Sequence, residues 1–228
     1  GQAMAEIFDY VIVGSGSAGS VMATRLSEDP DVRVLVLEVD SNNKDFRVYM
    51  PTANAMALGR PKFDWNYLTE PQPYLANRQV YWPRGRGLGG SSAINGMIYI
   101  RGNARDYDRW RQLGLEGWAY GDVLPYFKKA ESREGGGDQW RGDDGPLLTG
   151  PAGGVLPIEE AFVEACVQSG LPRNPDFNGA GQVGGGILDF TIRDGKRSSV
   201  ARCYLGSAKG RPNLEIRTGS FVTGLVLE

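Results

Sequence analysis

The chain has 228 residues, 41% of them hydrophobic, and a formal net charge of −2. Its apolar content is sufficient for one large domain or for one and a half smaller ones, and its scattered acids and bases give no electrostatic reason to expect nucleic acid or an anionic membrane as a partner. The chain holds no histidine, which excludes a histidine base or a histidine metal ligand among these residues.

The first predicted elements are a strand, a turn, a helix and a second strand. Residues 8–13 form a nearly continuous apolar run, which is typical of a parallel strand buried on both faces. The apolar residues of 20–28 fall on one helical face, and Pro30 ends that helix. Residues 33–38 are again apolar and predict the second strand. Together these elements predict a right-handed βαβ crossover.

The rest of the chain is less regular at first. Residues 41–84 have poor periodicity with many aromatics and prolines, and they predict an extended excursion. Its aromatics could either pack on the main sheet or line a pocket over a bound cofactor. Further helices are predicted at 106–113, 120–131, 157–169 and 198–205, and further strands at 184–193, 214–217 and 221–227.

Signals for targeting and for cysteine chemistry are weak. Residues 1–4 lack the basic region and apolar core of a secretion signal, so we expect a cytoplasmic protein. The longest apolar runs are far below the roughly 20 residues of a membrane-spanning helix, and no transmembrane segment is predicted. Cys166 and Cys203 are isolated and lack CxxC spacing. We therefore expect two reduced thiols and no metal site.

The turn between the first strand and helix fits the pattern GxGxxG. Gly14 permits a tight turn, Gly16 lets backbone approach a diphosphate, and Gly19 lets the helix pack on the strand. Glu38 ends the second strand, where it can accept hydrogen bonds from an adenosine ribose. The pattern predicts dinucleotide binding, with a purely structural turn as the alternative. It does not separate FAD from NAD, and the acid disfavours NADP.

A second glycine-rich stretch covers residues 85–99, with the sequence GRGLGGSSAINGMIY. Its turn at 89–92 offers backbone N–H donors to phosphate or flavin oxygens, and Asn95 adds a side-chain amide. Glycine-serine loops are also common turns. The residues alone therefore leave a cofactor contact and a flexible loop between strands as equal alternatives.

Residues 85–108 resemble the first signature of the glucose-methanol-choline (GMC) oxidoreductases. The resemblance extends through most of the chain and favours FAD over NAD. The other stretches that carry it are 14–38, 69–73 (TEPQP), 80–86 (VYWPRGR), 105–110 (RDYDRW), 145–147, 197–199, 201–205 and 211–214.

The resemblance implies a set of FAD contacts along the chain. The first glycine turn lines the pyrophosphate, the second approaches the pyrophosphate and ribityl chain, and residues 95–98 follow the isoalloxazine edge. Val222 contacts the adenine, although an ordinary strand residue is an equal alternative there. The implied contacts are Gly14, Gly16, Ser17, Ala18, Gly19, Glu38, Arg84, Gly85, Leu88, Gly89, Gly90, Ser91, Asn95, Gly96, Met97, Ile98 and Val222.

Three departures from the family pattern matter. Val39 and Asp40 replace the usual alanine-glycine pair after the ribose acid, which changes backbone freedom and charge beside the adenosine. Ile94 and the absence of histidine exclude a histidine-linked flavin, so non-covalent FAD is expected. The family's catalytic His-His or His-Asn pair lies beyond the position of Glu228. No catalytic residue is therefore expected in this chain, and a C-terminal polypeptide is expected to complete the fold.

These features predict an α/β fold with a Rossmann-like βαβ domain and a parallel FAD-binding sheet, followed by the beginning of an α+β substrate-binding domain. The predicted divisions are 1–150 for FAD binding with a cofactor-covering extension, 151–211 for the start of the substrate domain, and 212–228 for a return to the FAD domain. The resemblance implies oxidation of a small-molecule alcohol by hydride transfer to flavin N5, with oxygen or another electron acceptor. Alternatives are a flavin-requiring lyase on the same fold and an inactive FAD-binding module.

Overall fold

The computed structural model describes residues 6–41 and 44–227, and the prediction for residues 1–4 lies outside these ranges. The chain divides into two compact units. The first unit comprises Gly1–Gly96 and Ser199–Glu228, and the second comprises Met97–Ser198. The domain boundaries expected after residues 150 and 211 separate regions by what they bind. The two compact units do not test those binding roles, so these boundaries stay a prediction.

The elements follow in chain order. The helices are α1 (Ser17–Leu26), α2 (Phe46–Tyr49), α3 (Ala104–Gln112), α4 (Tyr120–Ala130) and α5 (Pro157–Gln168). The strands are β1 (Tyr10–Val13), β2 (Val34–Leu37), β3 (Tyr67–Leu68), β4 (Tyr81–Trp82), β5 (Ile98–Tyr99), β6 (Glu131–Arg133), β7 (Leu147–Thr149), β8 (Asp189–Phe190), β9 (Ile192–Arg193), β10 (Lys196–Arg197) and β11 (Leu214–Arg217). Short 3-10 turns occupy Pro51–Met56, Pro73–Leu75 and Gly90–Ala93, and a π turn occupies Ala201–Leu205. No helix within 6–41 or 44–227 is both long and apolar enough to cross a membrane.

The first unit is built on a three-stranded parallel sheet in the order β1, β2, β11. Strand β2 lies in the middle, with Val34 and Val36 fully buried. They pack with Ile12 of β1 and Ala23 of α1. A Cβ at Gly19 would lie 2.1 Å from the Gly14 carbonyl oxygen, so α1 sits directly against the turn after β1. The predicted Rossmann-like α/β fold is confirmed.

The predicted strand at residues 221–227 is wrong. Strand β11 ends at Arg217, and Gly219 then takes a positive φ of 69° that turns the chain away. Ser220 N–H still donates to the Glu38 carbonyl at 2.9 Å. Beyond it, Val226 is 94% exposed, and an extended chain without a neighbouring strand forms no ladder. The predicted single strand at 184–193 is instead two short strands, β8 and β9.

The excursion at 41–84 is organised around the buried carboxylate of Asp64. It accepts hydrogen bonds from the N–H groups of Gly59 at 3.0 Å, Asn66 at 2.9 Å and Arg84 at 3.1 Å. The Tyr81 hydroxyl also donates to it. Burial alone raises the pKa of Asp64, but these donors outweigh burial and lower its pKa below the ordinary value. The Asp64 carboxylate therefore joins residues 59, 66, 81 and 84 of the excursion.

The second unit contains helices α3 to α5 and a buried network of charges. Its strands form three two-stranded pairs, β5 with β8, β6 with β7 and β9 with β10. Glu131 is fully buried at the start of β6. Its carboxylate pairs with Arg141 at 2.5 Å and with Arg101 at 2.9 Å, and it accepts from the Thr149 hydroxyl at 2.5 Å. Arg141 also pairs with Asp176 at 2.8 Å. Burial lowers the pKa of Arg141, but its bonds to Glu131 outweigh burial and raise it.

Candidate functional site

A cleft of about 380 Å³ lies in the first unit at the carboxyl ends of β1 and β2. Ligands of open α/β sheets bind at this end of the strands. The wall residues come from the βαβ unit, from the excursion, from the second glycine-rich stretch and from the segment after β11. They are Val13, Gly14, Gly16, Ser17, Leu37, Glu38, Val39, Trp65, Tyr67, Arg84, Gly85, Gly90, Ser91, Ser220, Phe221 and Val222.

Residues 14–19, the first glycine turn, present the amino end of α1 to this cleft. Gly14 has a φ of +88°, which favours glycine because it has no Cβ. Gly16 is the N-cap of α1, so no side chain caps the helix there, and its first turn carries no acid. The first N–H groups of a helix have no partner within the helix, and they favour an anion. The turn therefore fits a phosphate group.

Glu38 is held in place by Ser15, a residue that the sequence analysis did not identify. The Ser15 N–H and hydroxyl donate to Oε2 of Glu38 at 2.8 and 2.7 Å. The N–H of Val39 donates to Oε1 at 2.8 Å. An ionised carboxylate offers about four acceptor positions, so one remains for a ligand hydroxyl. Glu38 is 6% exposed and lines the cleft.

Residues 85–91, the second glycine turn, pack directly against the first. The Gly89 N–H donates to the Ser15 carbonyl at 3.0 Å. A Cβ at Gly90 would lie 2.7 Å from Gly16 Cα, and a Cβ at Gly85 would lie 2.0 Å from the Gly90 carbonyl oxygen. Glycine is thus required where the two backbones meet. The second turn is thus packed against the first and forms part of the cleft wall, and its contact with a cofactor stays a prediction.

The structure brings many of the predicted contact residues together at this cleft. Those that line it are Gly14, Gly16, Ser17, Glu38, Arg84, Gly85, Gly90, Ser91 and Val222. Others belong to the same unit but are not among the residues that line the cleft, namely Ala18, Gly19, Leu88, Gly89, Asn95 and Gly96. Met97 and Ile98 belong to the second unit. The roles of all these residues stay predictions.

Three aromatic side chains form one wall of the cleft, and the sequence predicts this wall only in part. Trp65 and Tyr67 line the cleft with parallel rings whose centroids are 6.1 Å apart, and Phe221 lies 6.2 Å from Trp65. The sequence signal was the aromatic content of the excursion, which allowed either a pocket or packing. Tyr81 and Trp82 took other places, since the Tyr81 hydroxyl donates to Asp64 and Trp82 is 49% exposed.

The described residues contain no group of three or more histidine, cysteine, aspartate or glutamate side chains arranged to hold a metal ion. What the cleft offers is a set of backbone N–H donors, one oriented carboxylate, the basic residue Arg84 and flat apolar walls. These groups fit the phosphate, ribose and base of a nucleotide.

Comparisons with known proteins agree with this geometry. The family model described as GMC oxidoreductase matches residues 8–228. Oxygen-dependent choline dehydrogenase of Klebsiella pneumoniae is 51% identical over 224 residues, which cover 96% of this chain and 40% of that protein. The structure of pyridoxine 4-oxidase from Mesorbium loti is 41% identical with a TM-score of 0.87, covering 97% of this chain and 44% of its own. An FAD-dependent oxidoreductase from Chaetomium thermophilum is 29% identical with a TM-score of 0.80, covering 92% and 38% respectively.

Proposed function

Because this chain belongs to the GMC oxidoreductase family, we propose that it supplies the FAD-binding part of an enzyme that oxidises an alcohol to an aldehyde or ketone. The family predicted from the sequence is confirmed. The chain spans about 40% of the length of the curated relatives it matches, so the reaction and its substrate are proposals. The observation that carries them is the pair of interlocked glycine turns beside the oriented carboxylate of Glu38.

The residues of the cleft fit the adenosine diphosphate part of FAD. We assign the amino end of α1 and the guanidinium of Arg84 to the pyrophosphate, because both favour negative charge. Glu38 has acceptor capacity left for a ribose hydroxyl. The flat walls at Trp65 and Phe221 suit a purine ring. With no histidine in the chain, FAD is held by these non-covalent contacts.

When bound, FAD supplies the acceptor for a hydride at flavin N5. The residues of this chain bind and orient it. None of them is assigned as the base that takes the proton of the alcohol, because the buried carboxylates have structural partners or face the nucleotide end of the cleft. We propose that this base belongs to further polypeptide and that oxygen or another acceptor reoxidises the flavin.

Two apolar surfaces support a further polypeptide as a partner. Strand β1 pairs only with β2 among the described strands, and its Val11 and Val13 are 53% and 57% exposed. In the second unit, Ile158 and Phe162 of α5 are 73% and 70% exposed. Strands of parallel sheets are normally covered on both faces, and uncharged exposed edges favour association.

A flavin-binding measurement tests the proposal. Purified chain is titrated with FAD while flavin fluorescence and visible absorption are recorded, with NAD as the matched competitor. We expect saturable FAD binding, no displacement by NAD, and release of unmodified FAD by acid. Folded chain that binds NAD and not FAD would contradict the cofactor assignment.

The reaction is tested after the C-terminal part of a relative is added to the FAD-loaded chain. An anaerobic panel of alcohols is then screened for loss of flavin absorbance, beginning with choline and pyridoxine because of the relatives' names. Bleaching by an alcohol, with recovery on admission of oxygen, is the expected result. An FAD-loaded complex that no alcohol reduces would instead favour a non-redox role.

A further inference from the structure

Asp40 and Arg86 connect the end of strand β2 with the second glycine turn. The Nε of Arg86 lies 4.0 Å from Oδ2 of Asp40, and the two side chains are 33% and 35% exposed. Asp40 follows Glu38 by two residues, on the segment that leaves β2 beside the cleft. The pair therefore joins two segments that both contribute to the cleft wall.

Arg86 also reaches the aromatic wall. Its guanidinium carbon lies 5.0 Å from the centroid of the Trp65 ring. Its Nη1 donates to the Pro61 carbonyl at 3.3 Å, and its backbone N–H donates to the Phe63 carbonyl at 2.8 Å. A planar guanidinium can pair with a carboxylate at its edge while its face covers an aromatic ring. Asp40, Arg86 and Trp65 thus form a row of carboxylate, guanidinium and indole, with 4.0 Å between Asp40 and Arg86 and 5.0 Å between the guanidinium and the ring centroid.

We propose that Asp40 is a positioning residue: it holds Arg86 over Trp65 and thereby keeps the indole on the wall of the cleft, against the adenosine part of FAD. This role rests on the proposed function of the cleft. It also assigns a function to Asp40, which stands where the family pattern has a glycine two residues after Glu38. Asp40 needs no contact with FAD in order to act.

The direction in which FAD affinity changes when Asp40 is removed distinguishes a positioning role from simple charge repulsion. Asp40 places a negative charge near the site proposed for a diphosphate, so its removal alone should strengthen the binding of FAD through reduced repulsion. If Asp40 instead positions Trp65 through Arg86, its removal should weaken binding. The two explanations predict opposite changes in the same measurement.

The decisive experiment measures the Kd of FAD for D40N, D40E and D31N at low ionic strength. Asp31 is an exposed acid before the other end of β2, so D31N controls for net charge. We expect the Kd of D40N to rise about two- to fivefold, which is the range of an exposed ion pair. D40E should return toward the wild-type value, D31N should match wild type, and the D40N effect should shrink at about 1 M salt. A Kd for D40N that is unchanged or lower, or no recovery in D40E, would overturn the proposal.

A second readout does not require FAD. The emission of Trp65 is obtained by subtracting the spectrum of W65F, and its quenching by acrylamide, a neutral probe, is measured in the FAD-free chain. D40N and R86Q should each increase the quenching of Trp65, and the double variant should add little beyond the larger single effect. If wild-type chain fails to bind FAD, the proposed function fails while this readout still tests the contact. Unchanged quenching in D40N would overturn the positioning role by itself.

Discussion

Two buried glutamates, one in each unit, show how partners decide what a carboxylate can do. Glu38 is 6% exposed and is held by neutral donors, namely the N–H and hydroxyl of Ser15 and the N–H of Val39. Glu131 is fully buried and is neutralised by Arg101 and Arg141. The Glu38 carboxylate lies at the cleft wall with an acceptor position left, whereas the Glu131 carboxylate is occupied by ion pairs inside the second unit. Burial alone does not distinguish a binding residue from a structural one.

The largest effect is expected from breaking the network of the second unit. Glu131→Gln leaves buried arginines without their main counter-charge, and we expect the free energy of unfolding to fall by about 3 to 5 kcal/mol. Urea unfolding followed by circular dichroism measures this. The matched control is Glu164→Gln, whose side chain is 53% exposed in an ion pair with Arg173, with an expected loss of about 0 to 1 kcal/mol. Equal losses in the two variants would contradict a structural role for the network.

The corresponding variant in the first unit, Glu38→Gln, changes the cleft. Glu38→Gln removes a charged acceptor from the proposed ribose site, so the Kd of FAD should rise about tenfold to a hundredfold, the range of a hydrogen bond to a charged group. Its loss of stability should be smaller than that of Glu131→Gln, because Glu38 has no buried cation to leave unpaired. Glu215→Gln, at an exposed pair on strand β11, removes the same charge as a control. Wild-type affinity in Glu38→Gln would remove Glu38 from the site.

A third buried carboxylate, that of Asp64, is expected to have a smaller and pH-dependent effect on the free energy of unfolding. Asp64 resembles Glu38 in having neutral donors but does not line the cleft. Its pKa is lowered in the folded chain by those donors against the opposing effect of burial. The stability that it contributes is therefore present above its unfolded pKa of about 3.9 and is lost as pH falls through the lower folded value.

The test compares the unfolding free energy of wild type and Asp64→Asn at neutral and acidic pH. We expect a deficit in Asp64→Asn of about 1.5 to 3 kcal/mol at pH near 7, typical of hydrogen bonds to a charged group, and a smaller deficit in acid. A deficit that stays constant or grows as pH falls has the wrong sign and would contradict an ionised Asp64.

Much of the first unit could be predicted because its signals are local. The glycine spacing at 14–19 and the apolar runs on either side specify strand, turn and helix within one short segment. Glu38 could be identified because it follows the second strand of that same unit. Ser15 could not be identified, since a serine between two glycines carries no sign that its hydroxyl will meet a carboxylate 23 residues later.

The sequence by itself determined the βαβ unit, since turn geometry and strand burial leave their pattern in neighbouring residues. It also indicated the family and FAD as the cofactor, through the resemblance of its motifs to those of the GMC oxidoreductases. Only the tertiary structure decided that Ser15 holds the Glu38 carboxylate, that Glu131 is paired with two arginines, and that the two glycine turns meet at Gly16 and Gly90. It also left residues 221–227, which the sequence predicted as a further strand, outside any sheet. The physical reason is that hydrogen bonds and ion pairs form between whichever groups the fold brings within reach, and the choice of partner is not written in the residues on either side.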